Sequence, residues 1–336
     1  MQGYKTHVQS GILLNANEAS QNVDENIKQE ILEAISNLSL NRYPDTTCQE
    51  LHSLYADIMN VPSSWILSGN GSDQMLGFLI QYYLRENKTL YTLSPDFSMY
   101  DYYVGLNHSK IEKYETNQDG SFDVDAFISN GKDKNVDMVL FSNPNNPTGH
   151  SIALSEMKKI SEAFKDIPVI FDEAYMEFGK ESAICLLKEY PNVFVCRTLS
   201  KAYGLAGIRC GFMLGQQVEK LRDLFIPYAL SSVTQTIASV VLRHADAYKE
   251  NIATIISERE RMYQEVKEFK QLTMYPSNAN FLFGRSEKKD LLLEMFKEKN
   301  ITIRNYEDAS FRITIGTKEE NEMVLDVLRR FEYANS

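Results

Sequence analysis

No apolar run in the 336-residue chain approaches the roughly 18 residues that a bilayer-spanning helix needs; the longest candidates, such as 136–141, are strand-sized. Cysteine is scarce. Cys48, Cys185, Cys196 and Cys210 stand far apart with no CxxC pair, which argues for reduced, mostly buried thiols rather than a disulfide or zinc framework. The five histidines are scattered, so no metal site is expected. An excess of positive charge is also missing: 35 Lys+Arg face 46 Asp+Glu, a formal charge of −11. A polyanion would be repelled, so neither nucleic acid nor an anionic membrane is an expected partner, although a local basic pocket for a small anion stays open. The opening MQGYKTHVQSGILL carries no sustained apolar stretch before a small-residue cleavage site, so no secretory signal is read there. What is present is ample. A hydrophobic content of 43%, with 11% aromatic, excludes wholesale disorder, and the length suggests about two domains. The expectation is an acidic, cytoplasmic globular protein.

Two periods alternate along the chain. Leu51, Leu54, Tyr55 and Ile58 repeat at helical spacing, as do Ile27, Ile31, Leu32, Ile35 and Leu38. Between such stretches lie short β-rich segments at 65–68, 89–94, 136–142, 168–172, 192–197 and 210–214. Several are apolar at consecutive positions, which suits strands buried on both faces of a parallel sheet. Strand then helix, repeated, implies βαβ crossovers and a three-layer α/β architecture. From about Ala245 a long charged helix leads into hairpin-like segments and a final amphipathic helix, the pattern of a smaller α+β unit. The expected division is a large α/β domain over 42–244 and a small domain made of 1–41 with 245–336.

Four segments carry chemistry. In TLSKAYGLAGIRCG, a buried-type strand runs into a turn bearing Thr198, Ser200 and Lys201, with Arg209 eight residues on. A single lysine is ordinarily a solvated surface charge. At a strand end in an α/β fold, desolvation or neighbouring cations free its amine as a nucleophile, and the hydroxyls and planar arginine fork suit a phosphorylated aldehyde. In VIFDEAYMEF, Asp172 closes an apolar strand, a costly place for a carboxylate unless a cation or donor meets it. It reads either as a helix cap or as a partner for a protonated ring nitrogen, with Tyr175 three residues on aiming a hydroxyl at the same ligand. SNPNNPTG, 142–149, is a rigid turn rich in side-chain amides, from which Asn146 is the residue aimed at a ligand. SGNGSDQ, 68–74, reads either as a plain chain reversal or as a phosphate-binding helix N-terminus, with Gly69 and Gly71 letting backbone amides crowd together, Ser72 adding a hydroxyl and a helix starting near Asp73.

Taken in order, SGNGSDQ, PDFSMY, SNPNNPTG, DEAYMEF, TLSKAYGLAGIRCG and FRITIGT resemble fold-type I pyridoxal-phosphate aminotransferases over roughly residues 12 to 330. LNANE at 14–18, RYPD at 42–45 and ITIRNY narrow the likeness to the histidinol-phosphate aminotransferase group. The resemblance implies that Lys201 condenses with the aldehyde of pyridoxal 5'-phosphate. It implies that Asp172 pairs with the pyridinium nitrogen, that Asn146 and Tyr175 bond the ring's phenolic oxygen, and that Tyr100 stacks on the ring. The phosphate falls to Gly71, Ser72, Asp73, Thr198, Ser200 and Arg209. Tyr43 of a second subunit reaches that phosphate, which implies a homodimer. Asn17, Arg304 and Arg312 face the substrate. The implied reaction passes an amino group from L-histidinol phosphate to 2-oxoglutarate in histidine biosynthesis, giving imidazole acetol phosphate and L-glutamate.

The chain departs from the family pattern near the substrate. Ala19-Ser20 follow Asn17-Glu18 where Asn-Pro is usual, Gln74 stands in place of a glutamate, and the stretch from Arg304 to Arg312 is compressed. Aromatic or other small-amino-acid aminotransferases and phospho-amino-acid decarboxylases share most of these motifs. A non-catalytic, cofactor-sensing regulator usually carries a basic DNA-binding module in front, and about fourteen residues precede the first motif here.

Overall fold

Burial on both faces organises the chain. The computed structural model describes residues 10–334. Its strands are β1 (Ile12–Leu14), β2 (Ile66–Asn70), β3 (Thr89–Ser94), β4 (Lys110–Glu115), β5 (Met138–Ser142), β6 (Val169–Asp172), β7 (Val193–Thr198), β8 (Cys210–Leu214), β9 (Thr273–Tyr275), β10 (Phe281–Arg285), β11 (Ile301–Asn305) and β12 (Ser310–Thr314). Every residue of β5, β6, β7 and β8 is buried, as their consecutive apolar positions require. They lie in a seven-stranded sheet ordered β2-β8-β7-β6-β5-β3-β4. Only β8 runs against its neighbours β2 and β7; the ladders from β7 to β4 are all parallel.

Apolar cores lie on both faces of this sheet. Leu76, Leu79 and Ile80 of the helix Gly71–Tyr83 cluster with Leu90, Met138, Ile170 and Phe194. Residues of the alternate parity, Tyr91, Val139, Phe171 and Val195, join the opposite cluster. The result is the three-layer α/β architecture expected from the repeated strand–helix pattern.

A second sheet, ordered β1-β11-β12-β10-β9, gathers the C-terminal strands and mixes parallel with antiparallel ladders. β1 pairs in parallel with β11, Ile12 opposite Ile301, so the start of the described chain is hydrogen-bonded into the end of it. The helix Glu25–Ser36, capped by the Asp24 carboxylate, packs instead on the helix Ser232–Arg243. Leu32 of this helix is exposed. The strand β4 went unread in the sequence because KIEKYE is an edge strand whose polar residues face water. None of the described helices is long and apolar enough to cross a membrane. Cys48, Cys196 and Cys210 are buried thiols, whereas Cys185 is exposed.

Candidate active site

Parallel strands end along one edge of a sheet, and side chains just beyond those ends converge there. β3, β5, β6 and β7 deliver Asp96, Asn146, Asp172 and Thr198 to this edge. Because β8 is reversed, its beginning lies at the same edge, which brings Arg209 beside Thr198 and beside the start of the helix that follows β2.

That helix begins at Gly71, two residues before the expected start. Asn70, its cap residue, makes no side-chain capping bond, so the first-turn N–H groups of Ser72 and Asp73 remain available to an anion. Gly71 has φ +78°, and a Cβ there would stand 2.5 Å from the Arg209 guanidinium. Its N–H donates to the Arg209 carbonyl at 3.1 Å. Arg209 Nη2 meets Asp73 Oδ2 at 2.9 Å, and Nη1 lies 3.5 Å from Ser200 Oγ. Thr198 Oγ1 donates to Ser200 Oγ at 2.9 Å. Gly71, Ser72, Asp73, Thr198, Ser200 and Arg209 thus form one cradle of amides, hydroxyls and a guanidinium. The Gln74 departure has a local reason: its Oε1 accepts the Asn70 N–H at 2.6 Å, an acceptor role that an amide fills as a carboxylate would.

Asp172 is only 3% exposed. Burial pushes its carboxyl up to about 7, against the Tyr100 hydroxyl that donates to Oδ2 at 2.9 Å. Tyr100 is 1% exposed and its hydroxyl is committed to Asp172, whereas half-buried Phe97 lies edge-on to the Tyr100 ring at 5.7 Å. Phe97 stands in the same PDFSMY segment as Tyr100.

Lys201 Nζ donates to the Ala16 carbonyl at 3.0 Å and lies 5.7 Å from the centre of the Tyr175 ring. Burial, with the positive charge of Arg312 next, lowers its pKa to about 8. Tyr175 Oη accepts from Asn17 Nδ2 at 2.9 Å, which leaves the tyrosine's own hydrogen free to donate elsewhere. Asn17 is held at φ 55° by bonds to Thr314 and Asn280.

Arg312 is 6% exposed. Its Nη1 donates to Asn146 Oδ1, Nη2 donates to the Asn15 carbonyl at 3.0 Å, and buried Nε has no partner. Arg304 stands directly opposite Arg312 on the adjacent antiparallel strand, so both side chains leave the same face of the sheet. Tyr306 accompanies them, its ring 5.9 Å from the Arg304 guanidinium. Asn15 and Asp96 were missed in the sequence because each gains meaning only from a partner far along the chain, whereas Tyr306 sits beside Arg304, two residues earlier. Tyr43 is not in this cluster. It is 82% exposed and stacks at 4.7 Å on Tyr228.

An acidic pocket floor, a lysine of depressed pKa and a guanidinium–amide cradle are together equipped to hold a phosphorylated, nitrogen-containing aromatic aldehyde. The uncapped helix start, the space at Gly71 that a Cβ would fill, and the orphaned Arg312 Nε fit such a group and its substrate. The family model for class I and II aminotransferases matches residues 9–328. The histidinol-phosphate aminotransferase of Clostridium kluyveri is 33% identical over 95% of this chain and 92% of its own. That of Pyrococcus furiosus is 34% identical over the same shares. Among solved structures, the histidinol-phosphate aminotransferase of Sinorhizobium meliloti, in complex with pyridoxal-5'-phosphate, superimposes with a TM-score of 0.86 at 21% identity, covering 97% of this chain and 92% of the other.

Proposed function

The chain belongs to the class I and II aminotransferases and is a pyridoxal-phosphate-dependent enzyme; from that premise we propose that it transfers the amino group of L-histidinol phosphate to 2-oxoglutarate, giving imidazole acetol phosphate and L-glutamate in histidine biosynthesis. The observation that carries this reading is the facing pair Arg304 and Arg312, two cations on one sheet face, of which Arg312 is close enough to Lys201 to help lower its pKa. Curated relatives of that activity, 32–35% identical over nearly the whole chain, support it.

Each residue then has a task. Lys201, whose buried amine has a lowered pKa, would hold the cofactor at its aldehyde, and its Nζ would serve as the base that takes up and returns the substrate proton. Asp172 holds a proton on the ring nitrogen, and Tyr100 behind it holds Asp172. We assign the ring face to Phe97, since it is the more open of the two aromatics. Tyr175, fed by Asn17, directs its hydrogen to the ring oxygen together with Asn146. Gly71, Ser72, Asp73, Thr198, Ser200 and Arg209 hold the phosphate. When bound, pyridoxal phosphate supplies an electron sink for the carbanion that deprotonation creates. Arg312 offers a planar fork to a carboxylate, and Arg304 adds the second charge that a phosphate donor needs.

We further propose a cytoplasmic homodimer. Tyr43 and Tyr228 form an exposed aromatic pair, and Leu40 and Ile226, three and two residues before them in the chain, are exposed apolar residues as well. An apolar surface of that kind suits a subunit contact, from which Tyr43 reaches the partner's phosphate. The division into 42–244 and 1–41 with 245–336 is proposed on the same footing, with the cofactor end of the site in the first and Arg304 and Arg312 in the second.

The decisive experiment is a comparison of turnover with L-histidinol phosphate, phenylalanine and threonine phosphate, each with 2-oxoglutarate. Preference for the first, with parallel double-reciprocal lines, is expected. Preference for phenylalanine, or carbon dioxide release from threonine phosphate, would reassign the donor.

A further inference from the structure

We infer that Asp96, a residue outside every motif role above, is a positioning residue for the donor side of this site, acting through Ser142 on Asn146 and thence on Arg312; the inference rests on the cofactor reading just given. Asp96 lies just beyond β3 and reaches to the end of β5. Its Oδ2 accepts the Ser142 N–H at 3.1 Å, and its Oδ1 accepts both the Ser142 hydroxyl and the Phe97 N–H, the latter at 2.7 Å. Ser142 Oγ in turn accepts the Asn146 N–H at 2.9 Å. Asn146 Oδ1 receives Arg312 Nη1. One carboxylate therefore ties down the backbone of Phe97 and, two bonds further on, the guanidinium proposed to bind substrate.

The chemistry of the position favours an acceptor with no hydrogen of its own. All three groups facing Asp96 are donors, and an amide would turn its NH2 against at least one of them. Burial works against that ionised form and lifts the Asp96 carboxyl up to about 8, so the three donors are fully met only above that pH, where the kinetics are to be read. Asn145 braces the same turn: its Nδ2 donates to the Pro95 carbonyl at 3.2 Å. Loop closure is thus served by a second contact, and the Asp96–Ser142 link is left to set the height of Asn146.

A double-mutant cycle of Asp96→Asn, Ser142→Ala and both together tests the relay, with KM and kcat for the amino donor, the cofactor absorbance band and the melting temperature measured on each holoenzyme. The band and the borohydride-trapped adduct at Lys201 are expected to persist. KM is expected to rise roughly tenfold in Asp96→Asn with a smaller change in kcat, and the double variant is expected to be no worse than Asp96→Asn alone. Additive losses would overturn the relay. So would an unchanged KM in Asp96→Asn accompanied only by a lower melting temperature, which would mark Asp96 as a loop staple. Should Asp96→Asn fail to fold, an unchanged KM in Ser142→Ala overturns the relay equally. A wild-type protein that takes up no pyridoxal phosphate would instead remove the underlying cofactor reading.

Discussion

Tyr100 and Asp172, 72 positions apart in sequence, meet inside the protein with the phenol donating to the carboxylate at 2.9 Å. A hydrogen bond to the ionised form favours ionisation, so this contact opposes the burial that lifts Asp172 to about 7. Tyr100→Phe removes the donor and leaves the burial. The acid limb of the kcat profile is expected to move to higher pH, by about one unit. A limb that stays in place, or moves to lower pH, would show that the phenol does not tune the carboxylate.

Asp172→Asn is expected to retain cofactor while turnover falls by about two to three orders of magnitude, the scale for removing a preorganised charge from a site. Single-turnover proton transfer, followed by the absorbance change, separates this loss from weaker binding.

Lys201 makes a pH prediction of its own. Burial and Arg312 disfavour the ammonium form, so the neutral amine predominates above about 8 rather than above the usual 10.5. Reconstitution of apoenzyme with pyridoxal phosphate is therefore expected to accelerate with rising pH and to level off above a midpoint near 8. Lys201→Ala abolishes the trapped adduct at any pH.

Gly71→Ala sets a methyl 2.5 Å from the Arg209 guanidinium, at a φ of +78° that L-residues rarely adopt. Strain of about 1–2 kcal/mol plus displacement of Arg209 is expected to weaken cofactor affinity roughly tenfold or more, as read by equilibrium titration.

His52 supplies a stability test remote from catalysis. Its ring is 4% exposed, bonds Ser68 Oγ at 2.9 Å, and has a pKa lowered from 6.5 to about 4, chiefly by burial. Between those values the unfolded chain binds the extra proton, so stability is lost as pH falls from 6.5 toward 4, by up to about 3 kcal/mol. His52→Gln, which cannot titrate, is expected to flatten that part of the melting-temperature profile.

Lys201, Asp172, Asn146 and Arg209 were legible in the sequence because each follows or precedes an apolar strand, and strand ends in an α/β sheet share an edge. The parallel sheet was legible for the same reason, in the unbroken apolar runs of β5 to β8. Partnerships were not. Asp96 and Ser142 are 46 residues apart, and nothing in PDFSMY distinguishes the phenol that turns inward to Asp172 from the phenyl ring that stays half open. β4 escaped notice because an edge strand alternates with water rather than with a core. Arg304 and Arg312 look like ordinary surface charges until the register of β11 and β12 sets them opposite each other.

The pairing of β1 with β11 gives the first described residues an unusual leverage. Asn15, Ala16 and Asn17 follow β1 directly and touch Arg312, Lys201 and Tyr175 in turn. The strand therefore acts as a latch: peeling it away would leave Gly71, Thr198 and Arg209 standing while loosening, in a single movement, the Lys201 amine, the Tyr175 phenol and the Arg312 guanidinium.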